Sequence, residues 1–455
     1  MVLDEQSSDL QDSIESQAAY ASLGLTHNPF PAAGLAPDAP KIRPFPDVRA
    51  KIEGFLHSFL RTKQSKGMVI LGDFGTGKTY HLRYIQRELE ALRGTHIKTV
   101  FLDSPGVEPY DLIRGVIREV GEEEVAKGVW AILSPKLREG IGREGQRYFD
   151  SFLHDRTVKE RDQAARIRRA EVIRTELVSI TEEVLSDHRR FLRQFDKNIM
   201  MSREKLRDHL ANTLLEPGPG GKRLTTNAGV ARHLASVCLY DGAPALESWE
   251  RLTTRSSAAT LFPPAGEPEF LQAILRVLLS SGYEYFVLLL DEFEKVPEME
   301  LMTAREARRY LDTIRMLIDR SWETLPFAYL IASVDASWRH VEAELDRALP
   351  QRFPTVIDLP RLDRAEVAVY LIIEHLNLAR RAGKIPEEPL SPFPSNLLEL
   401  VPPEYRRTAR QVLVLCHHLI ERAVETNVPE ITPDLVSDYL ATIRLEASAD
   451  EHASA

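Results

Sequence analysis

A glycine-rich loop between an apolar segment and an amphipathic helix constrains this chain more than any other feature of its sequence. Residues 72–79 have the spacing G-x-x-x-x-G-K-T. The apolar residues 67–71 before the loop predict a strand, and residues 79–92 after it place leucine and isoleucine at helical spacing. A second strand is predicted at 97–103. This strand–loop–helix–strand order indicates a parallel βαβ unit.

The residue types in this loop favour binding of a nucleotide's phosphates. The predicted ligand-binding positions are Gly72, Asp73, Phe74, Gly75, Thr76, Gly77, Lys78 and Thr79. Glycines allow successive backbone N–H groups to point at phosphate oxygens, and the following helix adds its positive N-terminal dipole. Lys78 should reach the β- and γ-phosphates, and the Thr79 hydroxyl should bind magnesium. The alternative, a plain glycine-rich turn, does not require this flanking strand and helix.

A second buried strand ends in two acids. Residues 286–290 are continuously apolar, as in a parallel strand covered on both faces, and Asp291 and Glu292 follow. Since function lies at the carboxyl ends of such strands, Asp291 is placed to hold magnesium through water. Glu292 is placed to orient and polarise the water that attacks the γ-phosphate. The alternative is two surface acids that close a strand.

The remaining pattern predicts an α/β fold, with a parallel-sheet core, a large helical insertion and an all-α C-terminal lid. Further strands are predicted at 285–290, 327–333 and 355–358, and helices at 303–320, 338–347, 364–382, 406–426 and 433–444. The predicted domains are an N-terminal arm (1–46), the core in two parts (47–104 and 268–361), the insertion (105–267), the lid (362–445) and a tail (446–455). Residues 166–195 have near-heptad spacing, and a packed helical hairpin is favoured there over a docking role.

Composition excludes several classes of protein. The net charge of −10 argues against indiscriminate coating of nucleic acid, although it leaves room for a local basic face. The best basic stretch, 166–174, contains interleaved acids, so a solvated helix face is favoured over DNA binding. The two cysteines suit neither a disulfide framework nor a zinc site. The acidic N-terminus and the short apolar runs predict a cytoplasmic protein without a membrane segment.

The loop and the acidic strand together resemble the AAA+ superfamily of P-loop ATPases, in particular its initiator and TnsC-like branch. That resemblance implies ATP and Mg²⁺ as ligands, ATP hydrolysis and a homo-oligomer. It also implies a polar sensor near the end of strand 327–333, for which Asp335 is the candidate and Ser333 the alternative. Arg352 is the candidate arginine finger, with Arg347 as its rival.

Two further pieces carry the resemblance. The segment starting at Thr408 is similar to the lid helix that carries the second sensor, which makes Arg410 the candidate nucleotide contact and Arg407 the alternative. Asn28-Pro29-Phe30 resembles the entry to the core in transposition-helper ATPases. There Pro29 and Phe30 would flank the adenine, with plain packing as an equal alternative.

The stretches GDFGTGKTYHLRYI and LLLDEFEKV also resemble ATP-binding proteins of the BREX-type phage-defence group. The expected function is therefore an ATPase that drives or times conformational change in a multi-component, DNA-related system, with partner proteins and DNA as candidate partners. Phage defence is the first expectation, and transposition or initiation the second. The alternative of another class is a slow-turnover, ATP-controlled switch or scaffold that recruits partner proteins.

Overall fold

The computed structural model describes most of the chain. Described are residues 19–32, 42–92, 94, 96–106, 108–141, 187–198, 203–217, 223–240, 243–253, 267–298, 303–320, 325–362, 364–380 and 388–453. The predicted heptad segment and the basic stretch 166–174 lie largely outside these residues.

A five-stranded sheet forms the centre of the molecule, and every pairing in it is parallel. Its strands are β1 (Lys66–Leu71), β2 (Ile97–Leu102), β3 (Tyr285–Leu290), β4 (Phe327–Ser333) and β5 (Thr355–Asp358). The order across the sheet is β2-β3-β4-β1-β5. Strands β3 and β4 are buried along their whole length, which explains their continuous apolar sequences. The carboxyl ends of β1, β3 and β4 therefore meet at one edge.

Helices surround this sheet and form the insertion and the lid. In chain order they are α1 (Pro46–Thr62), α2 (Lys78–Ala91), α3 (Pro109–Val120), α4 (Glu122–Ile141), α5 (His188–Asn198), α6 (Arg203–Leu215), α7 (Ala228–Leu239), α8 (Ala243–Thr253), α9 (Glu267–Ser280), α10 (Lys295–Glu298), α11 (Ala304–Arg320), α12 (Asp335–His340), α13 (Ala365–Ala379), α14 (Leu397–Leu400), α15 (Ala409–Glu425) and α16 (Pro433–Ala453). No helix in the described ranges is long and apolar enough to cross a bilayer.

The two faces of the sheet have separate apolar cores. Side chains alternate along β1, so Val69 and Leu71 lie in one core while Met68 and Ile70 lie in the other. The first core extends without a break into helices α3 to α9, and the second is closed by α1 and α2. The insertion is therefore packed directly on the sheet.

The lid has a third apolar core, and the N-terminal arm contributes to it. Leu25 and Phe30 are buried among the lid helices, and Leu25 forms an antiparallel bridge with Arg380. The Asn28 amide donates to the carbonyl of His417 (3.1 Å) and to Glu421 Oε1 (2.6 Å) on α15. Residues 19–32 are thereby fastened to the lid.

The fold class predicted from the sequence, an α/β core with a parallel sheet, a helical insertion and an all-α C-terminal unit, is confirmed among the described residues. All five strands lie within one residue of their predicted bounds. The helix predicted at 338–347 is wrong in its limits, because α12 starts at Asp335 and continues as a π-helical turn, Val341–Leu345. Asp346 then stops the helix by accepting hydrogen bonds from the N–H groups of Ala348 and Leu349.

Three lid helices also differ from their predicted bounds. Helix α16 continues to Ala453, nine residues beyond the predicted end at 444 and through most of the predicted tail. The other two differ for identifiable reasons. Helix α15 begins at Ala409 rather than 406, because Thr408 and Gln411 form a capping box. Helix α13 ends at Ala379, since the carbonyl of Ala379 accepts a 2.7 Å hydrogen bond from the N–H of Thr26 and the chain then turns into its bridge with Leu25.

Candidate functional site

The glycine-rich loop lies at the carboxyl end of β1 and has the backbone that its glycines permit. Gly75 and Gly77 have φ angles of 76° and 95°, a region that other residues rarely adopt. The N–H of Gly72 donates to the carbonyl of Ser333 at 3.2 Å, which fixes the start of the loop against β4. Helix α2 starts directly after Gly77, so its dipole faces into the loop. The loop is thus shaped as a cradle for anionic oxygens.

Lys78 is held inside this cradle by acceptors of the protein itself. Its ammonium donates to the carbonyl of Gly72 at 2.9 Å and lies 3.8 Å from Glu294 Oε1. Both charged side chains are buried, at 8% and 7% exposure. Glu294 was missed in the sequence, where it reads as one more acid after Asp291 and Glu292. A bound phosphate would replace these acceptors around the lysine.

Thr79 and Asp291 meet across the gap between α2 and β3. The Thr79 hydroxyl donates to Asp291 Oδ2, and the N–H of Asp291 is bonded to the carbonyl of Leu102 at 2.9 Å. Burial raises the pKa of Asp291, against the opposing hydrogen bond from Thr79. A desolvated carboxylate beside a hydroxyl is a donor set that suits a hard divalent cation.

The two oxygen donors fit Mg²⁺ that completes its shell from phosphate and water. Among the described residues no group of three or more His, Cys, Asp or Glu side chains is arranged to hold a metal ion. Mg²⁺ typically uses one or two protein ligands together with substrate phosphates, so the Thr79–Asp291 pair is sufficient. The predicted assignment of these two residues as metal ligands therefore agrees with the geometry and stays a prediction.

Glu292 follows Asp291 with an unusual backbone. Its φ angle is 51°, in the left-handed region, and its N–H donates to Asp291 Oδ1 at 2.9 Å. Such a conformation is costly for a non-glycine residue and is typical of functional sites. The carboxylate is half exposed and forms an ion pair with Lys295. The predicted catalytic acid therefore lies at the site's edge, held by a neighbouring amine.

The two candidates for the polar sensor lie in different surroundings. Ser333 is fully buried at the end of β4, directly beside Leu71 in the register with β1. Asp335 begins helix α12, is partly exposed and pairs with Arg339 at 2.9 Å. The alternative, Ser333, is thus the residue that adjoins the phosphate loop, while the preferred candidate, Asp335, is engaged on the surface of its own helix.

The start of lid helix α15 rests on the phosphate loop. The N–H of Arg410 donates to the carbonyl of Gly75 at 3.3 Å. A Cβ built on Gly75 would lie 3.3 Å from the Cβ and hydroxyl of Thr408 and 3.5 Å from the Cβ of Arg410. The backbone of Arg410 therefore lies at the loop and its side chain is exposed, while its contact with the nucleotide stays a prediction. Its rival, Arg407, is also exposed and precedes the cap.

The predicted arginine finger lies far from the phosphate loop of its own chain. The carbonyl of Arg352 would be 2.4 Å from a Cβ on Gly67, near the start of β1 and roughly 16 Å of strand away from the loop. Its guanidinium makes two 3.0 Å hydrogen bonds with Asp319. Its rival, Arg347, is exposed in the preceding turn. A cation that was missed in the sequence, Arg361, lies 3.9 Å from Asp73 of the loop.

A cleft lined by residues of the phosphate loop and of the lid lies between core and lid. Its volume is about 650 Å³, counting the solvent space it opens to. The lining includes Ile42, Arg43, Pro44, Phe45, Thr76, Gly77, Tyr80, His81, Leu359, Pro360, Val367, Leu371, His375, Ala409 and Leu413. Most of these side chains are apolar, as suits a flat base, and the loop at one end suits phosphates.

Residues 42–45, rather than Asn28-Pro29-Phe30, form the arm's side of this cleft. Phe30 lies behind its wall: its ring stacks on His375 with centroids 5.4 Å apart and meets Phe393 edge-on. For Phe30 the packing alternative therefore matches the geometry.

Comparison with known proteins gives few similarities. No family model matches the chain, and no curated protein matches it. Two solved structures of the Aeropyrum pernix ORC2 protein are similar in overall shape. One, with ADPNP and ADP, has 13% identity and a TM-score of 0.45, and the similarity covers 89% of this chain and 70% of that one. The other, the ADP form, has 14% identity and a TM-score of 0.42 over 89% and 71% of the two chains. Similarity at this level does not extend to ligands.

Proposed function

We propose that this chain is an AAA+-type ATPase that binds MgATP between its core and its lid and hydrolyses the γ-phosphate. The observation that carries the proposal is the convergence of the glycine cradle, buried Lys78 and the Thr79–Asp291 pair at the carboxyl ends of β1 and β3. These residues come from segments about two hundred positions apart, and a purely structural turn would not need all of them.

Each residue then has a defined task. Backbone N–H groups of the loop and the Lys78 ammonium bind phosphate oxygens, and Thr79 with Asp291 holds Mg²⁺. The metal, when bound, supplies neutralisation of the charge on the triphosphate. Glu292 orients the attacking water once its carboxylate leaves Lys295 and turns inward. Ser333 lies next to the loop and takes the place of the polar sensor, with Asp335 as the second candidate.

A second copy of the chain completes the site in this proposal. Arg352 lies at the opposite end of β1 from its own phosphate loop, so it can stabilise transition-state charge only in a neighbouring subunit. It must then exchange its bidentate contact with Asp319 for a phosphate, which a planar guanidinium can do. The expected assembly is a homo-oligomer with one site at each interface.

The test separates binding from hydrolysis. Lys78→Ala should lose most MgATP affinity, because a cation contact to the phosphates disappears. Glu292→Gln should bind MgATP normally and release phosphate at least about 100-fold more slowly, as expected for removal of a general base. Lys51→Ala, an exposed lysine on α1, is the matched control and should change neither quantity. Undiminished affinity in Lys78→Ala would contradict the proposal.

A slow-turnover switch is the second candidate, and the Glu292–Lys295 ion pair favours it. With its carboxylate held by an amine, the base is withdrawn from the phosphates until something separates the pair. Lys295→Gln should then raise basal phosphate release several-fold. The control is Lys127→Gln, since Lys127 forms an exposed pair with Glu123 in α4, away from the site. Basal turnover that is fast in the wild type and unchanged in Lys295→Gln would exclude the switch.

The system served by this turnover is proposed from the resemblance alone. It is a multi-component, DNA-related machine, with phage defence as first choice and transposition or initiation as second. Phosphate release measured with and without duplex DNA tests the DNA link, because a DNA-coupled ATPase is stimulated. If phosphate release is equally fast with and without DNA, at both low and moderate salt, the DNA link is removed from the proposal.

A further inference from the structure

Two histidines line the cleft from opposite sides. His81 lies on α2, next to the phosphate loop, and His375 lies on lid helix α13. His375 is 1% exposed and stacks face-on against Phe30. Neither ring has a role in the phosphate chemistry, so the tautomer and protonation of the two imidazoles indicate what else they could bind.

Both imidazoles are fixed in the same tautomer. Nδ1 of His81 lies 2.8 Å from the carbonyl of Gly77, and Nδ1 of His375 lies 2.9 Å from the carbonyl of Leu371. A carbonyl only accepts, so each Nδ1 carries the hydrogen and donates it. Burial lowers the pKa of both rings to about 4, which keeps them neutral at pH 7. Each Nε2 is consequently a lone-pair acceptor.

The acceptor of His375 has no partner in the protein. Its Nε2 is buried and no donor in the described part of the chain reaches it. Nδ1 is turned back to its own helix, so Nε2 is the ring nitrogen that faces away from α13. A buried acceptor without a donor is unfavourable, and a ligand that brings an N–H group to it removes that cost.

We propose that His81 and His375 form an acceptor pair that selects a 6-aminopurine nucleotide over a 6-oxopurine nucleotide. This inference rests on the proposed function, since it concerns the base of the nucleotide bound there. The exocyclic amino group of adenine offers two donors, which match two acceptors. Guanine presents an oxygen at the same position, and that oxygen meets the imidazole lone pairs. The histidines therefore select which base is bound, and the loop binds the phosphates.

The experiment measures equilibrium dissociation constants of the full chain for three Mg²⁺-bound triphosphates. They are ATP, GTP and purine riboside triphosphate, which lacks the 6-amino group. Wild type should bind ATP at least about 10-fold more tightly than GTP and roughly 5- to 10-fold more tightly than the deaminated analogue. In His375→Phe the preference of ATP over that analogue should fall to about 2-fold or less, with the analogue's own affinity retained.

Further variants guard the interpretation. His375→Gln keeps an acceptor oxygen and should keep part of the preference, which also covers the case that His375→Phe does not fold. His81→Phe should lower the preference in the same way. His57→Phe, on the exposed face of α1, should leave it unchanged. Equal affinity for ATP and GTP in the wild type, or an undiminished preference in His375→Phe and His81→Phe, overturns the inference alone. Failure to bind any of the three triphosphates overturns the proposed function itself.

Discussion

Replacing Gly75 with alanine should uncouple the lid from the phosphate loop. The φ angle of 76° makes any side chain unfavourable there, by about 1 to 2 kcal/mol. The new Cβ would also lie 3.3 Å from two atoms of Thr408, so the start of α15 must move away. The hydrogen bond from the Arg410 N–H to the Gly75 carbonyl is already 3.3 Å long, and a small displacement breaks it. Its net contribution is about 0.5 to 1.5 kcal/mol.

Because the lid contact is lost, Gly75→Ala should bind MgATP up to about 10-fold more weakly, since 1.4 kcal/mol corresponds to a tenfold change in the dissociation constant. Gly24→Ala separates backbone strain from the lid contact, because Gly24 has a φ of 75° and nothing lies within 4 Å of the position that a Cβ would take there. In urea unfolding Gly24→Ala should lose the stability that backbone strain costs, Gly75→Ala should lose up to about 1.5 kcal/mol more from the broken hydrogen bond, and only Gly75→Ala should lose affinity. Adding Thr408→Gly to Gly75→Ala removes the two crowded atoms at a capping cost of a few tenths of a kcal/mol, so affinity should partly return.

The assay is equilibrium titration with MgATP alongside urea unfolding of the same preparations. If Gly75→Ala binds as tightly as Gly24→Ala, the lid contact contributes nothing to nucleotide affinity. If affinity falls but Thr408→Gly restores none of it, the loss arises within the phosphate loop and the reasoning about the lid is wrong.

Three other predictions concern charged and titratable groups at the site. Glu294→Gln should tighten MgATP binding and destabilise the ligand-free protein, because the carboxylate 3.8 Å from Lys78 both pairs with the ammonium and repels phosphate; unchanged affinity in titration would contradict this. The raised pKa of Asp291 means that the folded state holds this proton more tightly than the unfolded one, so its contribution to stability falls as pH rises from 3.8 through the folded pKa. Asp291→Asn should therefore stabilise the ligand-free protein at pH 7 and abolish the magnesium dependence of ATP binding, and urea unfolding with magnesium titration checks both. The lowered pKa of His375 changes stability in the opposite direction. Between pH 6.5 and about 4 the unfolded chain binds a proton at this residue that the folded chain does not, so stability is lost as pH falls through that window. His375→Phe should reduce this loss, which unfolding measured at several pH values checks.

The sequence predicted the parts of the site that are local in the chain. The phosphate loop has a fixed spacing and a strand and helix on either side, and the acid pair ends a continuously apolar strand. Both signals depend on neighbouring residues alone, so they could be identified without the fold. Strands β3 and β4 were predicted for the same reason, because burial on both faces leaves long apolar runs.

The remaining parts of the site depend on contacts that no local pattern encodes. Glu294 becomes the partner of Lys78 only because the chain turns after β3, where Glu292 has a left-handed backbone. Residues 42–45 have neither helical nor strand periodicity, so nothing in their sequence indicates that they line a cleft. The packing of Phe30 against His375 joins positions 345 residues apart, and only the fold brings them together.

The division of the site between core and lid suggests how a ligand would change the protein. Among the described residues the lid has its own apolar core, and Phe45 packs both against this core and against one core of the sheet. At the phosphate loop the two halves meet through one 3.3 Å backbone hydrogen bond and the contacts of Thr408, while the cleft beside it separates His81 from His375. A nucleotide that contacts both histidines favours the closed arrangement by its differential affinity for that state. Beside the loop, residues 42–45 also join the core to the lid: the Tyr370 hydroxyl donates to the Pro44 carbonyl at 3.2 Å, and the Tyr370 ring meets Phe45 edge-on. In the proposed function, ligand hydrogen bonds of about 0.5 to 1.5 kcal/mol each would add to these contacts, and loss of the γ-phosphate would act on the loop that α15 rests on. If the chain binds MgATP as proposed, we therefore expect lid closure to be the step that converts nucleotide state into a change of shape.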